Sequence, residues 1–333
     1  EPNKIIFEGV GKSKEDIEYA IEQNIRLINI ESIDELILIN QIGENLNKVI
    51  NVGIRLNPDI DGNTLNKIST GKKTDKFGIG LDQLNNIILL AKSSLNLNLK
   101  GISCHIGSQI HDLKIFEKVF RTMKKTAEIF LSNNFTLDHV DLGGGLGVNY
   151  KKNQNSLDIK RLGQLVNLLF KNVPYKTSFE PGRYLLAKSG IIITKILTKK
   201  INGGINFLIT DAGMQTLIRP SMYGAFHTIE ALNDIDEKKI SYTVGGPICE
   251  SSDIISADIL LPKQKTENFL AIHDVGAYGS VMASNYNSRG IPEEILIHKN
   301  KFAVIHKREK ISEIIIKIWN VYITKNINTT IDY

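Results

Sequence analysis

The fold turns on nine residues, His139 to Gly147, "HVDLGGGLG". They begin as an apolar strand and end in a run of glycines. A strand that runs into a glycine loop, with a helical pattern behind it, is the joint of a βα unit. The helix follows at once: Leu162, Leu165, Val166 and Leu169 keep helical spacing. Another strand, "YKTSFEPGR", comes after it.

The same unit repeats upstream. "KIIFEG" reads as a buried strand, and Ser13-Lys14-Glu15-Asp16 forms a capping box ahead of "IEYAIEQ". "RLINI" is a second strand, with Ser32-Ile33-Asp34-Glu35 capping "LILINQIGENL". "KVINVGIRLNP" is a third, followed by a polar, Gly-rich loop through "STGKKTDKFGIG" and by helical spacing at Leu84, Ile87, Ile88 and Ala91. "LKGISCHIG" is a fourth. Phe116, Val119, Phe120, Met123, Ala127 and Phe130 then mark a long helix that leads back to "HVDLGGG".

The count is six strands with five helices between them. After Ser189 the text becomes β-rich: "GIIITKIL", "INFLIT", "SYTVGG", "NFLAIHD", "ILIHK", "FAVIHK" and "EIIIKIW". The expected organisation is an α/β domain over residues 1–190 and a mostly β domain over residues 191–333. Repeated βα units fit a (β/α)8 TIM-type barrel or a doubly wound sheet. A barrel closes with eight strands, and each unit takes roughly 30 residues, so roughly 60 more are expected ahead of residue 1. The opening "EPNKIIFEGVGK" has no Met and reads as no signal peptide.

Composition narrows the function. The 333 residues are 42% hydrophobic and 23% charged, with a net charge of +5. That excess is Lys scattered through Ile/Asn/Lys-rich text, not a dense basic arm, so no nucleic-acid partner is expected. No apolar run approaches the ~20 residues of a membrane helix. The two cysteines, Cys104 and Cys249, form no disulfide framework, which points to a reducing cytosol. No metal-ligand set is read.

The loops after the strands carry the chemistry. "HIGSQI" offers His105, Gly107 and Ser108; alone, such a His reads as structural. Gly143, Gly144, Gly145 and Gly147 fit a tight turn and an anion cradle equally well. No Gly-Lys-Ser/Thr follows them, so this is not a P-loop. "EPGRY" puts Glu180 and Arg183 at the next strand end, which alone fits a surface ion pair equally well. Together, a ring-stacking His, a glycine loop and a Glu/Arg pair suit a phosphorylated aromatic cofactor. Farther on, "DAGMQTLIRPSMYGAFH" carries Arg219 and Tyr223, "GPICESSD" carries Cys249 and Glu250, and "DVGAYGSVMASNYNSRG" sets Tyr278 between glycines. Taken alone, Cys249 reads as a small buried hydrophobe and Tyr278 as turn chemistry.

In order, "GVGK", "NIES", "NPDIDGNT…ISTGKKTDKFGIG", "HIGSQI", "DLGGGLG", "EPGRY", "DAGMQTLIRPSMYGAFH", "GPICESSD" and "GAYGSVMASNYNSR" resemble the diaminopimelate decarboxylase family. The resemblance runs from about residue 2 to about residue 305. It implies an alanine-racemase-like barrel with a C-terminal β domain, pyridoxal 5'-phosphate as cofactor, and decarboxylation of meso-2,6-diaminopimelate to L-lysine. His105 would stack on the pyridine ring, with Ser108 in the same cofactor loop. Gly143, Gly144, Gly145, Gly182, Arg183 and Tyr278 would surround the phosphate, and Glu180 would pair with the ring nitrogen. Arg183, Arg219, Tyr223, Glu250 and Tyr278 would bind the substrate. Cys249 would return a proton, a task that suits a thiol with an ordinary pKa of about 8.5. The resemblance also implies a cytoplasmic homodimer with shared active sites, in which Cys249 and Glu250 come from the partner subunit, and a small-molecule amino-acid substrate.

Departures from the family pattern keep two other readings open. The Tyr-Ala-x-Lys-Ala context of the cofactor's Schiff-base Lys is absent, and neither Lys4 nor Lys12 is promoted to that role. "MQT" replaces Met-Asn-Asp, and Leu65 stands where a His is common. One alternative is a non-catalytic or decayed relative. The other is a decarboxylase of ornithine, arginine, lysine or carboxynorspermidine.

Overall fold

The computed structural model describes residues 1–64, 68, 70–151, 156–233 and 238–316; Leu65 lies outside them. The chain divides into two compact units, Glu1–Asn149 with Gln154–Tyr184, and Tyr150–Asn153 with Leu185–Tyr333.

The first unit alternates strand and helix in chain order: β1 (Ile6–Phe7), α1 (Lys14–Glu22), β2 (Leu27–Ile30), α2 (Ile33–Leu46), β3 (Ile50–Asn57), β4 (Ile79–Gly80), α3 (Leu84–Ser93), β5 (Leu97–Ser103), α4 (Leu113–Ser132), β6 (His139–Gly144), α5 (Ile159–Phe170) and β7 (Lys176–Glu180). A short helix, α6 (Gly182–Leu186), follows. The six expected strands pair as β1-β2-β3-β5-β6-β7, with β4 as an added two-residue neighbour of β3. Every pairing is parallel. A parallel sheet is covered on both faces, and β2 shows it: all four residues are buried.

The helix signals act as expected. The Ser13 side chain accepts from Asp16 N–H, and the Asp16 carboxylate accepts from Ser13 N–H. Ser32 caps α2 through Glu35 N–H, but the Glu35 carboxylate reaches one residue farther back, to Glu31 N–H, at 2.6 Å. In α4 the six expected apolar residues are all buried, and Phe120 packs against the rings of Phe116, Phe170 and Phe179. Because the strands run parallel, the loops that follow them gather at one edge of the sheet.

The second unit holds β8 (Ile192–Asn202), β9 (Ile205–Thr210), α7 (Arg219–Tyr223), β10 (Ile229–Ala231), β11 (Ile240–Gly245), β12 (Ile254–Leu261), β13 (Phe269–Ile272), β14 (Glu294–His298) and β15 (Lys301–His306). Its main sheet is ordered β10-β13-β8-β9-β11-β12. β8 is long enough to serve two partners: residues 192–195 pair with β13 and residues 196–202 with β9. Ile196, Leu208, Val244, Leu270 and Ile272 close the core beneath it. β14 and β15 form a separate hairpin.

Three segments differ from the sequence expectation. β10 and β12 were not expected: the first has only three residues, and the second pairs with β11 through shifted register. "EIIIKIW" was expected as a strand, yet residues 311–316 are helical and its last three residues lie outside the described ones. The isoleucine run suits a strand by propensity, but Lys310 N–H donates to the Glu313 carboxylate and starts a helix.

Candidate active site

In the first unit, the loops after β5, β6 and β7 place His105, the glycine run and Glu180 side by side. Gly144 N–H donates to His105 Nδ1 at 3.1 Å. A backbone N–H only donates, so Nδ1 is the acceptor and the ring carries its hydrogen on Nε2. Glu180 Oε2 lies 3.3 Å from the same Nδ1 and so receives no hydrogen from it. The Glu180 carboxylate is held beside the ring without a hydrogen bond from Nδ1.

The glycines have a structural task as well. A Cβ on Gly143 would lie 2.2 Å from the Cys104 carbonyl oxygen, on Gly144 2.0 Å from that of Glu180, and on Gly145 2.3 Å from that of Gly107. Gly143 and Gly145 also have φ of +73° and +83°. The run lets three strand ends approach backbone to backbone. Gly143 N–H donates to Asp141 at 2.7 Å and Gly144 N–H to His105, so two of the donors expected around a phosphate already have protein partners. Gly182 differs, since a Cβ there would meet nothing within 4 Å. Arg183, beside it, donates from Nε to Ser108 Oγ at 3.0 Å.

Below this edge the interior is polar. Burial opposes ionisation of Asp141, but donors from His139, Ser178 and Gly143 outweigh it and hold the carboxyl below the usual range. Burial pushes Glu8 up to about 7, against a hydrogen bond from Asn29, and nearby Glu180 adds to the rise. Its Oε2 is buried without a partner among the described residues. Cys104 is buried, and that burial pushes its thiol up. Lys12 is committed elsewhere: its Nζ contacts Glu35 at 2.8 Å and the carbonyls of Gly9 and Asn29 at 2.6 and 2.8 Å.

In the second unit, Cys249 is exposed and Glu250 follows it. Asp253, 3% exposed, fastens this loop: its carboxylate accepts from Ile248 N–H at 2.8 Å and Met214 N–H at 2.6 Å. Asn287 Nδ2 donates to Cys249 Sγ at 3.2 Å, and Tyr286 O–H donates to Glu250. Tyr286 and Asn287 lie within the "GAYGSVMASNYNSR" stretch, where nothing local in the sequence marks them for this contact. Arg219 is 5% exposed; its guanidinium lies 4.9 Å over the Tyr150 ring and donates to His227 Nε2 at 2.9 Å. Tyr223, half-buried, ends the same short helix. Tyr278 is 43% exposed at φ +59°, a left-handed conformation unusual for a bulky residue.

The first-unit residues fit a phosphorylated pyridine. A flat ring with a fixed tautomer, a carboxylate beside it and an open glycine next to an Arg are what such a group needs. Residues 1–187 match the family described as pyridoxal-dependent decarboxylase, pyridoxal binding domain. The diaminopimelate decarboxylase of Aquifex aeolicus is 35% identical over 314 residues, covering 94% of this chain and 75% of that protein. The corresponding Helicobacter pylori protein is 38% identical over 314 residues, covering 94% and 77%.

The chain belongs to the diaminopimelate decarboxylase family.

A diaminopimelate decarboxylase from Helicobacter pylori, solved with L-lysine, matches with a TM-score of 0.90 and 37% identity, covering 97% of this chain and 79% of that one. The likeness extends in fold alone to an arginine decarboxylase of a Paramecium bursaria Chlorella virus, with a TM-score of 0.76, 21% identity, and coverage of 86% and 75%. Membership makes the chain a pyridoxal phosphate-dependent decarboxylase with the alanine-racemase-like barrel fold. No helix among the described residues is long and apolar enough to cross a membrane.

Proposed function

We propose that this chain releases CO₂ from meso-2,6-diaminopimelate to give L-lysine, with pyridoxal phosphate as cofactor. The observation that carries the reading is the placement of Glu180, at the end of β7, 3.3 Å from His105, just past the end of β5, with Gly144 of the intervening β6 fixing Nδ1 of the ring. Bound pyridoxal phosphate supplies an electron sink for the pair left when the bond to the carboxylate breaks. Glu180 favours the protonated form of the ring nitrogen, which deepens that sink. His105 would stack on the ring. Gly182 leaves room for a phosphate, and Ser108 anchors Arg183 next to it. Gly143, Gly144 and Gly145 shape the opposite wall.

Cys249 is the acid in this reading. Its S–H returns a proton to the carbon that has lost CO₂. Glu250, Arg219, Tyr223, Arg183 and Tyr278 bind a substrate that carries two carboxylates and two amines, where paired cations and a carboxylate give selectivity. The reading includes a cytoplasmic homodimer in which Cys249 and Glu250 serve the partner's site. The free state of both cysteines supports the reducing compartment, and the exposure of Cys249 supports its reach beyond its own loop.

The test mixes the purified protein with pyridoxal phosphate and compares CO₂ release from meso-diaminopimelate, ornithine, arginine, lysine and carboxynorspermidine. Release from meso-diaminopimelate is expected, and a borohydride-reducible visible band would then locate the lysine that holds the cofactor, since neither Lys4 nor Lys12 has that role. Release only from another substrate overturns the specificity. Neither band nor CO₂ marks a non-catalytic relative.

A further inference from the structure

We infer that Asn287 and Tyr286 are positioning residues for the Cys249–Glu250 pair. The inference rests on the role proposed above for Cys249. Two successive residues of one turn meet two successive residues of another in reverse order, Tyr286 with Glu250 and Asn287 with Cys249.

The Asn287 contact has a direction. An amide N–H only donates, so at 3.2 Å the sulfur is the acceptor and its own S–H points elsewhere. One fixed lone pair therefore aims a thiol that otherwise rotates freely. The contact also strengthens when the proton leaves, because a charged acceptor holds a donor about twice as firmly as a neutral one. Asn287 thus favours the state that exists after the proton has been delivered.

Tyr286 acts on the neighbouring carboxylate. Its O–H donates to Glu250 Oε1, while Ser252 Oγ donates to Oε2 at 3.2 Å. Both carboxylate oxygens are engaged from within the unit. The hydrogen bond to Glu250 pushes the Tyr286 phenol up, so it stays a donor through the neutral range.

The backbone is shaped for this pairing. Asn287 and Ser288 both sit at φ +55°, two left-handed residues in succession where neither is glycine. Such a conformation is disfavoured for L-residues and persists where its surroundings hold it. Here it turns the Asn287 amide back onto the sulfur.

Cys249 is a built-in probe, because Cys104 is buried and alkylating agents meet one thiol. The rate of iodoacetamide modification is measured against pH for the wild-type protein, Asn287→Ala and the same-sized Asn287→Asp, with Cys249→Ala as blank. Losing the donor should slow modification about two- to threefold near pH 7, since one hydrogen bond is worth about fivefold in thiolate population and part of that returns as lower nucleophilicity. On the high-pH plateau of each profile, read from the data themselves, the order should reverse, because the less stabilised sulfur attacks faster. Crossing profiles support the aim-and-hold role. Parallel profiles, or a variant that reacts faster at every pH, mean that the turn merely shields the thiol and overturn it. Asn287→Asp supplies the answer if the alanine variant melts early.

For Tyr286→Phe, the expected result is a several-fold rise in KM for meso-diaminopimelate with pyridoxal phosphate affinity unchanged; an unchanged KM removes Tyr286 from the inference. Cys249→Ala turning over at the wild-type rate would sink the acid role of Cys249 while leaving the alkylation profiles to stand or fall alone.

Discussion

His105 Nδ1 accepts a hydrogen bond from Gly144 N–H at 3.1 Å, although Glu180 Oε2 lies only 3.3 Å from the same atom. The ring is therefore oriented by backbone and donates nothing to Glu180 from Nδ1. Glu180→Gln keeps the shape and removes the carboxylate. Turnover should fall on the order of 10²-fold, the scale of a lost proton-holding group. Retained pyridoxal phosphate, read by its visible absorption, separates this outcome from simple loss of cofactor.

The glycines of the site divide by what a methyl group would meet. At Gly144 it would meet the Glu180 carbonyl at 2.0 Å, whereas at Gly182 it would meet nothing within 4 Å. Gly144→Ala must push two strand ends apart and should cost about 1–3 kcal/mol in urea unfolding. Gly182→Ala should leave unfolding unchanged and weaken pyridoxal phosphate binding in a fluorescence titration. Equal effects of the two on stability would refute the division.

Cys249 stands apart from the cofactor residues in the proposed chemistry. Cys249→Ala should lower turnover far more than it weakens cofactor affinity. Parallel measurement of CO₂ release and of the pyridoxal phosphate dissociation constant decides this, and equal losses in both would remove Cys249 as the acid.

Glu8 sets a pH dependence of stability. Its folded pKa is about 7 against an ordinary 4.5, because burial disfavours the charged form. Below about pH 4.5 both folded and unfolded states hold the proton, so the full stability is present. As pH rises toward 7 the unfolded chain ionises first, and about 3 kcal/mol is lost across that window. Glu8→Gln should therefore melt with the wild type at pH 4 and above it at pH 8. Thermal melts across that range test the sign; a variant that loses stability at pH 8 contradicts it.

Much of the first unit is legible from one dimension. Apolar spacing in α4, the caps at Ser13 and Ser32 and the strand-to-glycine joint at Gly143 are local signals, because each depends on residues within a few positions of one another. They suffice to place six strands and five helices along the chain; that the strands pair in chain order and bring "HIGSQI", "DLGGGLG" and "EPGRY" to one edge is decided by the tertiary structure. The isoleucines after Ser312 mislead for the same reason. β-branched propensity is local too, and a competing cap at Lys310 and Glu313 outweighs it.

The partners inside the site come from folding. Gly144 meets His105 39 residues away in sequence, and Asn287 meets Cys249 38 residues away. Such bonds depend on distances of a few ångströms between loops, and periodicity carries no information at that scale. From the text alone, Gly143 and Gly144 are flexible donors waiting for an anion. Packed, their N–H groups belong to Asp141 and His105, and their lack of side chains is what allows three strand ends to meet. Cys249 shows the same limit: its sequence neighbours mark it as unusual, but only the turn at Asn287 shows which way its sulfur is held.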